Sequence, residues 1–114
     1  MIGGNQIKFV FCSQYCLPKP VLVVTLALTL VRLSEKNCAH LTRQMLCAVR
    51  YCHSKGIIHR DLKLENFIFA NKDMSANLIM IDFGLSKHFT HGDIQHEAVG
   101  TPYTVAPEVS CDQE

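Results

Sequence analysis

The chain has 114 residues, of which 48% are hydrophobic and 18% are charged, and its formal net charge is +1. That length allows one domain at most, or a part of one. The balanced charge gives no electrostatic footprint for nucleic acid and no charged tail, so we expect no nucleic-acid partner. The six cysteines form no C-x-x-C pair typical of a zinc site, and reduced thiols are expected rather than a disulfide framework.

The N-terminal part of the chain, residues 1–33, is apolar and lacks acidic residues. Its run "VLVVTLALTLV" covers residues 21–31, and eleven residues are fewer than the ~20 that span a bilayer. We therefore predict a buried strand or a short core helix there, with a non-cleaved membrane anchor as the alternative.

The next segment, residues 34–55, carries the pattern of an amphipathic helix. Ser34 is a favourable N-cap, and Glu35 lies in the first turn, where the helix dipole favours an anion. Apolar residues recur at steps of three and four: Cys38, Leu41, Met45, Val49 and Cys52. Gly56 is predicted to end the helix in a left-handed conformation.

A polar loop, "HRDLKLEN" at residues 59–66, follows the helix and precedes two short apolar runs. These runs are "FIFA" at 67–70 and "LIMI" at 78–81, and a polar turn separates them, which predicts a β-hairpin. Glycines and prolines punctuate the segment after Asp82. An irregular segment of that length is usually functional.

Four motifs follow one another in the second half of the chain. They are "HRDLKLEN" at 59–66, "DFG" at 82–84, "GTPY" at 100–103 and "APE" at 106–108. Their order and spacing resemble the catalytic domain of eukaryotic protein kinases of the serine/threonine type. The phrases "YCHSKGIIHRDLK", "IDFGLSK" and "GTPYTVAPEV" are most similar to calcium-dependent and calmodulin-dependent protein kinases.

The resemblance implies an α+β fold. The expected structure is a fragment of the protein-kinase fold: the helical C-lobe portion with the catalytic-loop β-hairpin and the activation segment. Residues 34–114 would form a partial kinase domain, from the helix before the catalytic loop through the APE motif, and residues 1–33 stay unassigned.

The same resemblance assigns the catalytic groups. Asp61 would accept a hydrogen bond from the substrate hydroxyl and orient it for in-line attack. Lys63 would steady the transferring phosphate, and Thr101 would hydrogen-bond near the catalytic aspartate. The substrate would be a protein serine or threonine.

ATP and Mg²⁺ are the implied cofactors. Asn66 and Asp82 would be the magnesium ligands, since amide and carboxylate oxygens suit that ion. Lys63 would contact the nucleotide phosphates, and Ile68 would lie beneath the adenine ring. His59 and Phe83 are expected to pack as parts of a hydrophobic spine.

Three further residues are candidates for regulation and substrate recognition. Kinases with an arginine before the catalytic aspartate, here Arg60, commonly need a phosphorylated residue in the activation segment. Glu97 stands at that position and is predicted to pair with Arg60, the alternative being a solvated loop glutamate. Glu65 is predicted to meet a basic residue of the substrate, with plain solvation as the alternative.

Three nucleotide-holding groups of a kinase were not found in the sequence: a glycine-rich loop, a strand lysine and a helix glutamate. Lys8 resembles the strand lysine only superficially, since no acidic residue precedes Glu35, and it is expected to be an exposed surface lysine.

Two functions are therefore considered. The first is a serine/threonine protein kinase present as a truncated fragment. The second is a non-catalytic truncated fragment, or a partner-binding module with no kinase activity of its own. The resemblance further implies a cytoplasmic protein and leaves open a calcium-sensing segment in the parent protein.

Overall fold

The structure, a computed structural model, describes residues 32–110. Predictions for the following parts of the chain lie outside the described residues: the apolar run 21–31, Lys8, Cys12, Cys16 and Cys111. The described elements, in chain order, are α1 (Glu35–Ser54), β1 (Ile57–Ile58), a 3₁₀ turn (Leu64–Asn66), β2 (Phe67–Phe69), β3 (Leu78–Met80), β4 (Lys87–His88) and α2 (Pro107–Ser110). The predicted α+β class is confirmed.

Helix α1 begins and ends at the predicted residues. The backbone N–H of Asn37 donates to Ser34 Oγ at 3.3 Å, so Ser34 is the N-cap. Gly56 has a φ of +68°, the left-handed conformation predicted for the residue that ends the helix. A side chain at Gly56 would also place its Cβ 3.0 Å from the carbonyl oxygen of Phe89, so both conformation and space favour glycine there.

One stripe of α1 packs into the core. Leu41, Ala48 and Cys52 are buried, and burial raises the pKa of the Cys52 thiol. The predicted stripe is wrong at Cys38, which is exposed. Cys38 lies about one turn before Leu41, the first buried residue of α1, and so precedes the α1 residues that contact the core. Among residues 32–110, no helix is both long enough and apolar enough to cross a membrane.

The predicted hairpin is confirmed. Strands β2 and β3 are antiparallel, with the pairs Phe67↔Met80, Ile68↔Ile79 and Phe69↔Leu78. Alternate residues of a strand face opposite ways, so Phe67 and Phe69 join the core cluster beneath α1 while Ile68 faces away from it. The N–H of Leu78 donates to Gln44 Oε1 at 2.8 Å, which fastens the hairpin to the helix.

The sequence does not indicate the second small sheet, since residues 57–58 adjoin the polar loop and residues 87–88 lie in the irregular segment after Asp82. In the structure, β1 and β4 are antiparallel, with Ile57 opposite His88 and Ile58 opposite Lys87. Strands of two residues are too short to show an alternating pattern in sequence. This sheet joins the start of the catalytic loop to the segment after the DFG motif, and so positions the two main parts of the site.

Candidate active site

The catalytic loop leaves β1 and enters the 3₁₀ turn through an unusual backbone conformation. Arg60 has a φ of +67° and Asp82 a φ of +60°, values that few residues other than glycine adopt. Such conformations persist where surrounding contacts fix them, and they cluster at functional sites. At Arg60 those contacts include a hydrogen bond from Nε to the carbonyl oxygen of Leu85 at 2.6 Å.

The structure brings together Asp61, Lys63 and Thr101. Thr101 Oγ1 donates to Asp61 Oδ1 at 2.5 Å, and Lys63 Nζ donates to Thr101 Oγ1 at 2.8 Å. Lys63 Nζ also lies 3.3 Å from Asp61 Oδ2. The catalytic loop (residues 59–66) and the activation segment (residues 82–108) therefore meet at one carboxylate, and that carboxylate is buried, since Asp61 is only 8% exposed.

These contacts set the charges at the site. The hydrogen bond from Thr101 lowers the pKa of Asp61, and Lys63 and Asn66 lower it further, against the opposing effect of burial. For Lys63, desolvation acts to lower the pKa, but the hydrogen bond and negative charge of Asp61 outweigh it and the pKa is raised. Asp61 is therefore a carboxylate and Lys63 an ammonium at neutral pH.

Asn66 is oriented by Asp61. Its Nδ2 donates to the carbonyl oxygen of Asp61 at 2.8 Å and to Asp61 Oδ2 at 3.3 Å. Both contacts use the amide nitrogen, so the amide oxygen is turned away from Asp61. The N–H of Ile81 donates to the carbonyl oxygen of Asn66 at 2.9 Å, which brings the residue before Asp82 against the catalytic loop.

Asn66 and Asp82 fit a magnesium site by their chemistry. Both carry oxygen donors, and Asp82 is exposed, with Oδ1 3.3 Å from the N–H of Gly84. Within residues 32–110, no group of three or more His, Cys, Asp or Glu side chains is placed to hold a metal. Two protein oxygens suit an ion that takes its other ligands from phosphate and water, as Mg²⁺ commonly does.

His59 and Phe83 pack on each other, as expected for parts of a spine. Their ring centroids are 4.9 Å apart at an interplanar angle of 65°. His59 Nε2 lies 3.0 Å from the carbonyl oxygen of Ile81, and the N–H of Asp61 donates to His59 Nδ1 at 3.2 Å. This pattern assigns the ring proton to Nε2. The buried imidazole thus ties the catalytic loop to the end of β3.

The structure also brings Arg60 and Glu97 together. Arg60 Nη1 donates to Glu97 Oε2 at 2.6 Å, and Lys87 Nζ donates to Glu97 Oε1 at 3.0 Å. The hydrogen bonds from Arg60 and Lys87 and their positive charges lower the pKa of Glu97 to about 2. Sequence reasoning gave Lys87 no role, although it is the last residue of the phrase "IDFGLSK".

The two remaining site candidates differ in exposure. Ile68 is buried in β2, on the strand face turned away from the core cluster. Glu65 is exposed in the 3₁₀ turn, and Tyr103 Oη lies 3.4 Å from its Oε1. No ion pair of Glu65 occurs in the described part of the chain. Sequence reasoning did not single out Tyr103 as a neighbour of Glu65.

Gly100 is a further residue whose structural role the sequence did not reveal. Its φ is +140°, and a Cβ there would lie 3.2 Å from the carbonyl oxygen of Arg60 and 3.4 Å from Val105 Cγ2. The activation segment therefore passes close to the catalytic loop one residue before Thr101. Glycine allows this approach.

The buried Asp61 thus contacts both Lys63 and Thr101, and the oxygen-bearing side chains of Asn66 and Asp82 stand just before β2 and just after β3. The chain belongs to the protein kinase family: the family model described as "Protein kinase domain" matches residues 5–114. The predicted division at residue 33 stays a prediction.

Three relatives from plants match part of this chain. The chain is 54% identical over 76 residues to Calcium-dependent protein kinase 5 of Oryza sativa subsp. japonica. It is 53% identical over 76 residues to Calcium-dependent protein kinase 6 of Arabidopsis thaliana and to Calcium-dependent protein kinase 4 of Solanum tuberosum. In each case the match covers 67% of this chain and 14% of the relative's length. The recognised resemblance to calcium-dependent protein kinases is confirmed.

Proposed function

We propose that this chain carries the phosphoryl-transfer and activation segments of a serine/threonine protein kinase that uses ATP and Mg²⁺. The observation that supports this most is the contact of Asp61 with Thr101 and Lys63. It keeps one carboxylate anionic and fixed at the junction of the catalytic loop and the activation segment. A substrate hydroxyl needs an acceptor of that kind to be oriented for in-line attack.

In the proposed mechanism, Asp61 accepts a hydrogen bond from the serine or threonine hydroxyl of the protein substrate. As the hydroxyl oxygen bonds to phosphorus and the phosphorus–oxygen bond to the leaving group breaks, Asp61 takes the proton. Lys63 offsets negative charge on the transferring group, and Thr101 holds both side chains in register. When bound, magnesium-ATP supplies the phosphoryl group and neutralises its charge.

Four residues would hold the nucleotide and its metal. Asn66 and Asp82 would coordinate Mg²⁺ through the amide and carboxylate oxygens. Lys63 would meet the phosphates, and Ile68 would give the adenine ring an apolar surface from the outer face of β2. Glu65, exposed at the end of the catalytic loop, would meet a basic residue of the protein substrate.

Regulation is proposed to follow from Arg60 and Glu97. The Glu97 carboxylate would stand in for a phosphate on the activation segment, because it makes the same kind of charge-assisted hydrogen bond with the guanidinium. Control would then fall to another part of the parent protein, such as a calcium-sensing segment. A cytoplasmic location is proposed on the family resemblance.

The test is a chimera in which residues 34–110 replace the matching segment of a calcium-dependent protein kinase. We expect it to phosphorylate a serine peptide, and Asp61→Asn to lower the rate by at least about 100-fold. Asp73→Asn is the matched control, since Asp73 only caps the hairpin turn by accepting from the N–H of Ser75 at 2.8 Å. Unchanged activity of the Asp61→Asn chimera would overturn the proposal.

The 114-residue chain itself is expected to bind magnesium-ATP weakly or not at all and to show no phosphotransfer. The physical reason is that no glycine-rich loop or strand lysine was found in its sequence to hold the phosphates. Calorimetric titration and a radiolabel transfer assay measure both. Turnover that Asp61→Asn abolishes would show that residues 1–33 supply the missing groups.

A partner-binding module without kinase activity is the second candidate, and one observation favours it. The outer side of α1 carries a shallow groove lined by the following residues: Cys38, Ala39, Thr42, Arg43, Leu46, Cys47 and Arg50. Leu46 is 64% exposed there. If the chimera is inactive while a partner of the chain protects this groove from amide hydrogen exchange, the second candidate holds.

A further inference from the structure

We infer that Tyr103 is a specificity residue that makes the Glu65 subsite select arginine over lysine in the peptide substrate. The inference rests on the proposed function. Its basis is the contact between an exposed aromatic residue and an exposed carboxylate that has no ion-pair partner within residues 32–110.

The Glu65 carboxylate is available to a cation of the substrate. Both cationic residues of the catalytic loop already have partners, Arg60 in Glu97 and Lys63 in Asp61. Glu65 makes no ion pair within residues 32–110 and is exposed. An incoming cation therefore does not have to displace another cation from it.

Tyr103 is placed beside Glu65. Thr101 contacts Asp61 and Lys63 of the catalytic loop. Two residues after Thr101, Tyr103 contacts Glu65, which lies four residues after Asp61. A peptide whose hydroxyl is bound at Asp61 therefore has its neighbouring residues close to Glu65 and Tyr103. Because the Tyr103 hydroxyl is 3.4 Å from Glu65 Oε1, the ring lies beside the carboxylate.

The shape of a planar cation suits both groups. Tyr103 is 74% exposed, so its ring has a face open to solvent. A guanidinium is planar, and it can stack on an aromatic ring while its edge donates two hydrogen bonds to a carboxylate. An ammonium is a compact, strongly hydrated charge that cannot do both with the same geometry. An arginine side chain can therefore stack on Tyr103 while it is bound to Glu65, and a lysine side chain cannot.

The test measures peptide binding to the complete 114-residue chain without nucleotide. The probes are fluorescent serine peptides in which a single arginine is moved one position at a time, together with matched lysine peptides. At the best position we expect arginine to bind about four times more tightly than lysine. Tyr103→Leu should abolish the preference, Tyr103→Phe should keep it, and Glu65→Gln should weaken both peptides about threefold.

Tyr51→Leu is the matched control, because Tyr51 is an exposed tyrosine on α1 whose ring centroid lies 5.5 Å from Lys55 Nζ. It should leave the arginine preference unchanged. Circular dichroism checks that each variant keeps the fold of the parent chain.

Equal affinity for the two peptides, no binding of either, or a preference that survives Tyr103→Leu would each overturn the inference. The assay contains no nucleotide, so its result is separate from that of the chimera. An active chimera without arginine preference removes only the role of Tyr103, whereas an inactive chimera with the preference removes only the phosphotransfer proposal.

Discussion

Arg60 and Glu97 are 37 residues apart in sequence, yet Arg60 Nη1 lies 2.6 Å from Glu97 Oε2. The other oxygen of the same carboxylate accepts from Lys87 at 3.0 Å. One glutamate therefore joins the catalytic loop, strand β4 and the activation segment. Arg60 is held in a left-handed conformation, and this contact and its bond to Leu85 fix its side chain from two sides.

Removing that carboxylate should disorder the activation segment. We expect Glu97→Ala in the chimera to lower phosphotransfer about tenfold, because Arg60 and Lys87 then repel each other without a shared anion. Hydrogen exchange of residues 90–100 should increase in the same variant. The exposed neighbour His96→Ala is the control and should change neither measurement.

The contact between Arg60 and Glu97 should also make activity independent of phosphorylation of the activation segment. A chimera with Glu97 intact should be fully active after dephosphorylation of the purified protein. An enzyme that stays silent until another kinase phosphorylates Thr90 or Ser86 would contradict the role given to Glu97.

Acid should weaken this contact over a defined pH range. Arg60 and Lys87 lower the pKa of Glu97 from its ordinary 4.5 to about 2 in the folded chain. A lowered pKa means that the stabilisation is fully present above pH 4.5 and is lost as the pH falls towards 2. Above pH 4.5 the parent chain should therefore have a higher denaturation midpoint than Glu97→Gln, and the two midpoints should converge as the pH falls towards 2. A difference that does not change over this range would contradict the prediction.

Much of this architecture could be predicted from local sequence. Ser34 and the helical periodicity predict α1, and apolar runs on either side of a polar turn predict the β2–β3 hairpin, because these signals act over a few residues. The motif spacing also pointed to Arg60 and Glu97 as a pair. Strands β1 and β4 could not be predicted, since a two-residue strand carries no period.

Long-range side-chain contacts were harder still to anticipate. Lys87 reaches Glu97 and Gln44 reaches Leu78 only after the chain has folded, and no local pattern in the sequence indicates either partner. Cys38 fits the spacing of the α1 stripe but precedes Leu41, the first buried residue of the helix. How far the core extends along α1 depends on the packed hairpin and not on the helical period.

The isolated chain should be marginally stable, and the exposed apolar surface of α1 should make it prone to non-specific binding. We expect the purified chain to bind a hydrophobic dye, and Leu46→Gln to reduce that binding while changing the free energy of unfolding by less than about 0.5 kcal/mol. Leu41→Ala, at a buried position of the same helix, should instead cost about 2–5 kcal/mol. Urea denaturation and dye fluorescence measure the two effects. A monodisperse monomer with a sharp reversible transition and no dye binding would contradict this expectation.

The approach of Gly100 to the catalytic loop gives the last prediction. Gly100 and Gly92 both have positive φ values, +140° and +94°, so alanine is strained at either position. At Gly92 a Cβ would meet nothing within 4 Å, whereas at Gly100 it would lie 3.2 Å from the carbonyl oxygen of Arg60. Gly92→Ala should therefore cost about 1 kcal/mol from backbone strain alone, and Gly100→Ala about 2–3 kcal/mol.

The two variants should also differ at the site. Gly100 precedes Thr101, so pushing the activation segment away from Arg60 would lengthen the contact between Thr101 and Asp61. In the chimera, Gly100→Ala should lower phosphotransfer at least tenfold, roughly the effect of misplacing a group that positions the reactants, while Gly92→Ala should keep it. Equal losses of stability and of activity in the two variants would mean that the close approach of Gly100 to Arg60 does not position Thr101.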